Sequence, residues 1–357
     1  MLKYEEIPLA EGYSYEVDNR DDNSWYDVLR GFDDANLFQT WAFAEVAAGR
    51  RNLCAVLLKQ KGEIVAAGLV RIKRVPILGI GLAYVHRGPL WRRRGVERNI
   101  NDLRQALRAL RNEFVCKRGL TLRVHPVLFD DDPFAASILA EESFDQVQNQ
   151  IRDQTILMDL TPSIDDLRKG FDHKWKQDLK RAEENHLHVT EGTDDCLVDQ
   201  VIPLYEEMVS RKSFTGSKGI YKFKEIQARL PEDFKIRISL CMADEEVCAG
   251  VAWSAIGEMG VLLYAATSNA GRLCKASYLL QWKVVNHLRQ QGCVCYNLNG
   301  IDPIKNPGTY RFKKRLGGSH GREVFYLGKF DASAGSLSGS LIRLRDKIRL
   351  RRRKRQP

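Results

Sequence analysis

The sequence predicts a mixed α/β protein of two domains laid out on one plan. Two observations carry this. The chain has 357 residues with 44% hydrophobic content, which suits a globular protein too long for a single core. A strand–strand–strand–helix–strand order also occurs twice, the second copy about 180 residues after the first.

The first copy opens on a hairpin: Leu53–Leu58, a Lys61-Gly62-Glu63 turn, then Ile64–Val70. A third strand ends at Leu82-Ala83-Tyr84. The apolar run Val75–Val85 that contains it holds Pro76, Gly79 and Gly81, so it reads as a bent strand. It also falls far short of the roughly 20 residues of a membrane-spanning helix. An amphipathic helix follows, with Ile100, Leu103, Leu107, Leu110 and Phe114 at spacings of three and four, closing near Gly119 before the strand Leu120–Val124.

The second copy repeats each step. Ile238–Met242 and Val247–Ala252 form a hairpin around Asp244-Glu245-Glu246, Val261–Tyr264 is the next strand, and a helix from about Ala276 to Gln291 precedes the strand Cys293–Tyr296. Glu63 and Ala67-Gly68 match Glu245 and Ala249-Gly250, and Leu82 and Tyr84 match Leu262 and Tyr264. Between the copies, Thr161-Pro162-Ser163 predicts a helix start with proline at its first position. Ile164, Leu167, Phe171, Trp175, Leu179 and Ala182 then make one apolar stripe over five turns, backed by a ridge of Lys169, Lys174, Lys176, Lys180 and Arg181. A second helix runs through Leu197, Val201, Leu204 and Met208.

Charge is unevenly spread. Of the net +10, +8 lies in Leu341–Pro357, where nine Lys and Arg stand against Asp346. An anionic partner therefore meets a basic tail, not a basic body. The eight cysteines form no Cys-x-x-Cys pair and no zinc spacing with histidine, so no metal is expected and reduced thiols are the reading. The acidic start Met1–Pro8 has no apolar signal core, which points to a cytoplasmic protein.

The doubled order is that of N-acetyltransferase-type (GNAT) domains, giving two in tandem with mixed sheets. Such domains grip a cofactor pyrophosphate with a glycine-rich loop at the start of the helix. The matching segment here is Arg272-Leu273-Cys274-Lys275-Ala276-Ser277, where Lys275 occupies a glycine position and disfavours acetyl-CoA. The chemically most pointed tract comes later. Tyr296-Asn297-Leu298-Asn299-Gly300-Ile301-Asp302 is a strand entering a turn, followed by Gly308-Thr309-Tyr310-Arg311-Phe312-Lys313-Lys314-Arg315-Leu316-Gly317-Gly318. A lysine ammonium there can meet a developing negative charge, with neighbouring rings excluding water. A basic helix start on a solvated face is the bland alternative.

With Phe38-Gln39-Thr40-Trp41, His86-Arg87-Gly88-Pro89-Leu90-Trp91, Trp175-Lys176 with Leu179-Lys180-Arg181-Ala182, and Leu263-Tyr264, this tract makes the chain resemble the Fem family over about residues 30 to 330. Fem proteins are aminoacyltransferases that move an amino acid from aminoacyl-tRNA onto a peptidoglycan precursor. The resemblance is to the short form without a coiled-coil arm. It implies a first domain of 1–150 completed by 320–340, a second of 151–319, and a basic tail of 341–357. It further implies catalysis by Lys313 with Phe312, and substrate binding by Arg51, Lys218, Tyr221, Tyr264, Tyr310 and Arg315. The donor is then aminoacyl-tRNA with no cofactor, and the acceptor a lipid-linked or nucleotide-linked muropeptide.

Asp302 would orient Lys313 or simply cap its turn. The lysine expected soon after the Gln-Thr pair is replaced by Ala47, with Arg50 and Arg51 behind it, and Lys218 stands where an arginine is expected. Both departures fall on acceptor binding. The tail residues 343–355 would meet tRNA or an anionic membrane surface, or serve solubility alone. A CoA-dependent N-acyltransferase of envelope polysaccharide synthesis and a non-catalytic RNA- or membrane-binding adaptor are the competing readings.

Overall fold

The computed structural model describes residues 5–18, 22–74, 81–212 and 219–333. The chain divides into two units, one of Met1–Asp34, Phe38–Arg152 and Tyr326–Pro357, the other of Ala35–Leu37 and Asp153–Phe325. Lys218, the tail 343–355 and the start of the Val75–Val85 run lie outside the described residues.

The first unit contains β1 (Tyr13–Asp18), α1 (Asp22–Arg30), α2 (Trp41–Ala48), the hairpin β2 (Leu53–Gln60) and β3 (Glu63–Arg74), β4 (Gly81–His86), α3 (Ile100–Arg111), β5 (Thr121–His125), α4 (Ala135–Glu141) and β6 (Asp145–Gln146). The second runs through β7 (Gln154–Asp159), α5 (Ile164–Gly170), α6 (His173–Glu184), β8 (His188–Gly192), α7 (Asp195–Lys212), α8 (Phe223–Gln227), β9 (Arg237–Ala243), β10 (Glu246–Ile256) and β11 (Met259–Thr267). It continues with α9 (Asn269–Leu273), α10 (Ala276–Gln290), β12 (Cys295–Asn297), α11 (Pro307–Gly317) and β13 (Gly321–Phe325), after which β14 (Phe330–Ala332) returns to the first unit.

The sheet orders are β1-β2-β3-β4-β5-β14-β6 and β13-β7-β12-β11-β10-β9-β8. Position for position they are the same sheet. Each has one parallel pair, β4 with β5 and β11 with β12, bridged by the helix that sequence periodicity predicts. The sixth place is filled by β14 in one sheet and by β7 in the other. The return to the first unit begins at Tyr326, not at 320, because β13 pairs with β7 from Gly321 to Phe325.

Core formation follows the apolar patterns. Leu103, Leu107, Leu110 and Phe114 are sealed under the first sheet, whereas Ile100, on the first turn, stays exposed. In the second unit the stripe Leu167, Phe171, Trp175, Leu179 and Ala182 is buried as expected, but it is not one helix. The chain breaks at Phe171-Asp172: the Asp172 carboxylate caps α6 by accepting from Lys174 N, and a side chain at Gly170 would overlap the His320 ring. Ser163 rather than Thr161 is the N-cap of α5, accepting from Asp166 N, so Pro162 stands outside the helix.

Two early motifs have structural work in the first unit. The wholly buried Gln39 side chain donates to His86 O at 2.7 Å and accepts from Leu69 N at 2.8 Å. Gly88 leaves it room, since a Cβ there would sit 2.8 Å from Gln39 Cδ. Thr40 caps α2 through Phe43 N. Asp34 accepts from Trp91 N and Arg92 N, and burial pushes its carboxyl up to about 6.

The returning β14 is fastened by Arg123, whose Nε and NH2 reach Asp331 Oδ1 and Oδ2 at 2.6 and 2.7 Å. Side-chain exposures are 8% and 18%, so truncating the acid strands a nearly buried guanidinium. Asp331→Ala is expected to lower stability by about 3 kcal/mol in urea denaturation. Glu183→Ala, which breaks the exposed Arg168–Glu183 pair, should cost under about 1 kcal/mol. Equal losses in the two variants would refute the assignment.

Candidate active site

The second unit concentrates its chemistry where β12 ends. Asn297 accepts at Oδ1 from Thr155 Oγ1 (2.6 Å) and from Asn299 N (2.8 Å). Leu298 N donates to Ile156 O and Ile301 N to Gln154 O, both at 2.9 Å. Between them Asn299 takes the left-handed conformation, φ 59°, which asparagine tolerates better than most residues. Its side chain donates to Leu262 O at 2.8 Å. The turn is thereby fixed, and the carbonyls of Asn299 and Gly300 face α11.

That helix begins with Asn306 as N-cap and Pro307 in its first turn. It ends at Gly318, φ 52°, where any side chain would overlap the Gly170 carbonyl. Lys313 Nζ donates to Asn299 O at 3.3 Å and Gly300 O at 2.9 Å. Phe312, the preceding residue, turns to the other side and packs on Tyr278 and Trp175, with ring centroids 5.0 and 6.2 Å away. Trp175 in turn contacts Tyr278 (5.3 Å) and Phe171 (4.5 Å). The half-buried Lys313 thus follows directly on a residue that joins an aromatic cluster.

Asp302 takes the turn-capping role, accepting at Oδ1 from Ile304 N (3.0 Å) and Lys305 N (2.8 Å). Tyr310 donates to Glu323 Oε1 at 2.9 Å and accepts from Lys314 Nζ at 3.0 Å. The Tyr310 hydroxyl and the Glu323 carboxylate together push the Lys314 ammonium pKa up. Arg315 is exposed, with Nε 3.6 Å from Asp172 Oδ1. Tyr264 lies edge-on to Tyr205 and Phe223 at 5.5 and 5.1 Å, and the exposed Tyr221 donates to Glu206 at 2.9 Å. Phe312, Lys313, Tyr310 and Arg315 thus share α11, and the Asn299–Leu262 bond ties their turn to the strand carrying Tyr264. Arg51 is exposed in the first unit, in the short turn Arg50–Asn52 before β2.

One group escaped sequence reasoning. Asp178 is 3% exposed, with Nζ of Lys275 and Lys174 and NH1 of Arg181 at 3.4, 3.7 and 4.0 Å from Oδ1. That oxygen and Trp175 Nε1 are buried without a hydrogen bond. Lys275, the residue in the glycine position of the loop, is left-handed (φ 63°), and its side chain reaches towards this acid. Burial first, then the Asp178 charge, pushes the Tyr278 phenol up to about 12. The position of Asp178 one turn after Trp175 was readable; its seclusion among three cations was not.

The fold defines a class: a mixed α/β protein of two units that repeat one sheet order, the second of which presents Lys313 from α11. Residues 242–344 match the model of the FemAB family. The crystal structure of FemX aligns with a TM-score of 0.76 at 17% identity, covering 92% of this chain and 99% of that one. The C-terminal domain of a protein designated a lysylphosphatidylglycerol synthetase from Agrobacterium fabrum gives 0.53 at 11%, covering 91% and 94%. A conserved protein of unknown function from Bacteroides thetaiotaomicron gives 0.51 at 10%, covering 93% and 99%. No curated protein sequence matches the chain.

The Tyr278 environment gives a pH signature. A phenol with its folded pKa raised from 10.0 to about 12 keeps its proton in the native state where the unfolded chain has lost it. Its stabilising contribution is intact below pH 10 and declines as pH climbs towards 12. The difference at 295 nm between the wild type and Tyr278→Phe should titrate near 12, and lower in Asp178→Asn. A Tyr278 titration at 10 would contradict this placement.

Proposed function

We propose that the protein is an aminoacyltransferase that moves an amino acid from aminoacyl-tRNA to an amine of a peptidoglycan precursor. The observation carrying this reading is the Lys313 ammonium, held by two turn carbonyls and following directly on Phe312 of the Phe312–Tyr278–Trp175 cluster within the FemAB-matched segment. The acceptor amine attacks the ester carbonyl, forming the C–N bond, and negative charge gathers on the former carbonyl oxygen. Lys313 meets that charge. On collapse the C–O bond to the ribose breaks, the ribose oxygen takes a proton, and the attacking nitrogen gives one up.

The electrostatic logic favours lysine over a neutral donor. The two carbonyls orient the ammonium, and in a site closed to water its attraction for an oxyanion is stronger than in bulk solvent. Phe312 positions Lys313 by anchoring α11, and Arg315 and Tyr310, on the same helix, are placed for the donor's phosphates and ribose. Arg51, Lys218, Tyr221 and Tyr264 complete the proposed substrate-binding set.

Single-turnover discharge of radiolabelled aminoacyl-tRNA, with lipid-linked or nucleotide-linked muropeptide, tests the reading. Acceptor-dependent discharge is expected, reduced about 100- to 1000-fold in Lys313→Met. Full discharge by Lys313→Met would remove the assigned mechanism. Discharge of acetyl-CoA alone would replace the reading with a CoA-dependent N-acyltransferase.

A further inference from the structure

We propose that Cys248 and Cys274 make up a dithiol site in the second unit, which a peroxide converts to a reversible disulfide that fastens the Lys275 loop to β10. It stands apart from the activity proposed above.

The two residues are 26 positions apart in sequence, and their Sγ atoms lie 4.0 Å from each other. Backbone features bring them there. Val247 pairs with Met242 and Ala249 with Cys241, so Cys248 is the extra residue of a β-bulge, with no register partner on β9. A bulge re-aims the side chain it carries. The Cys248 carbonyl accepts from Ser268 N at 2.9 Å, and the Ser268 side chain caps α9 by accepting from Gly271 N. Helix α9 approaches β10 so closely that a Cβ at Gly271 would sit 2.1 Å from Cys248 O. Cys274 closes that short helix, its N–H donating to Ala270 O at 3.1 Å.

Only weak bonds hold the two thiols apart. Cys248 Sγ donates to Cys241 O at 3.2 Å and Cys274 Sγ to Gly271 O at 3.7 Å. Joining them brings the sulfurs to about 2.05 Å. Cys248 is buried and Cys274 half-buried, so a small oxidant reaches Cys274 while Cys248 waits behind it. The Cys274 sulfur attacks the peroxide, an S–O bond forms as the O–O bond breaks, and water leaves. The Cys248 sulfur then attacks Cys274, the S–S bond forms as the S–O bond breaks, and a second water leaves. Two thiols lose two electrons and the peroxide becomes two waters.

The hydrogen bond to Cys241, then burial, pushes the Cys248 thiol up. Burial, then the Cys248 sulfur, does the same to Cys274. Both are protonated in the reduced protein, so oxidation is slow and quickens with rising pH. The same surroundings give the reduced pair no thiolate stabilisation, so the disulfide, once made, resists reduction. The site is a latch rather than a rapid sensor. Cys274 O accepts from Asn185 Nδ2 at 2.9 Å, and Lys275 Nζ lies 3.4 Å from Asp178 on α6. Drawing Cys274 towards β10 therefore acts on both links between this loop and the α6 segment.

Peroxide treatment of the reduced full chain at mildly alkaline pH, followed by alkylation and peptide mass mapping, tests the site. A Cys248–Cys274 cross-linked peptide is expected, lighter by about 2 Da than its two thiol halves and released by dithiothreitol. The exposed Cys196 is the dose control, since its oxidation shows that enough peroxide was present. In Cys248→Ser, Cys274 should stop at the sulfenic acid, which dimedone traps. Cys248 and Cys274 both still alkylated after Cys196 is oxidised would overturn the proposal. So would Cys274 oxidised in the wild type without a cross-link, or a cross-link joining Cys248 to Cys241. Should Cys248→Ser fail to fold, the wild-type peptide map decides alone.

Discussion

The pairing of β7 with β12 is the contact on which the candidate active site depends. β7 enters the second sheet from the sequence before the repeated strand–helix–strand run, and it lies between β12 and β13. Its carbonyls at Gln154 and Ile156 accept from the N–H groups of Ile301 and Leu298, and its Thr155 hydroxyl donates to Asn297 Oδ1. The same strand pairs with β13, the segment leaving α11. One strand thus fixes the turn before the helix and the chain after it. The distance from Lys313 to the two turn carbonyls is set at both ends by backbone hydrogen bonds, which vary less than side-chain contacts.

Backbone anchorage matters because the carbonyls of Asn299 and Gly300 orient the Lys313 ammonium. A carboxylate partner would fix a lysine more strongly, but it would cancel the charge that an oxyanion needs. Carbonyl dipoles orient it and leave the net charge in place. The nearby acid, Asp302, is taken up by Ile304 N and Lys305 N. Asp178 is surrounded by other cations. Lys314, adjacent in sequence, has the opposite arrangement: it pairs with Glu323 at 2.9 Å. Of two consecutive lysines, one reaches the Glu323 carboxylate and one reaches two turn carbonyls.

Much of the fold was legible because it is local. Hairpin turns, the stripes of α3 and α10, and the repeated order depend on residues a few positions apart, where periodicity acts. The Phe312-Lys313 tract was legible for the same reason. The break at Phe171-Asp172 was not, since it answers to a close approach of Gly170 by His320, residues far apart in sequence. Nor were the exact places of β7 and β14 in their sheets, although the resemblance implied that the chain returns to the first domain. Short strands of three and six residues carry little periodicity, and their placement is decided by which sheet edge remains open. Gln39 and His86 stand in motifs that carry the resemblance, and the Gln39 amide bridges backbone groups of two strands. A buried amide with both ends satisfied fixes loop geometry, and this explains the spacing of both motifs without chemistry at Gln39 itself.

The two sheets share a strand order but use the same topological position differently. Beyond β12, a turn anchored through Leu298 N and Ile301 N leads to a helix, and the candidate side chain comes from that helix. Beyond β4 and β5 the side chains of the strands themselves, His86 and His125, converge with Arg71 from the neighbouring strand. The difference follows from what comes next in each chain. After β12 the chain leaves its sheet through α11, so a helix lies over the strand end. After β4 it turns at Arg87, φ 57°, and Leu90 bridges back to Ala67 of β3. This leaves the end of the parallel pair covered by rings rather than by a helix. A helix delivers one cation to a point in space, which suits charge that develops briefly on a reacting atom.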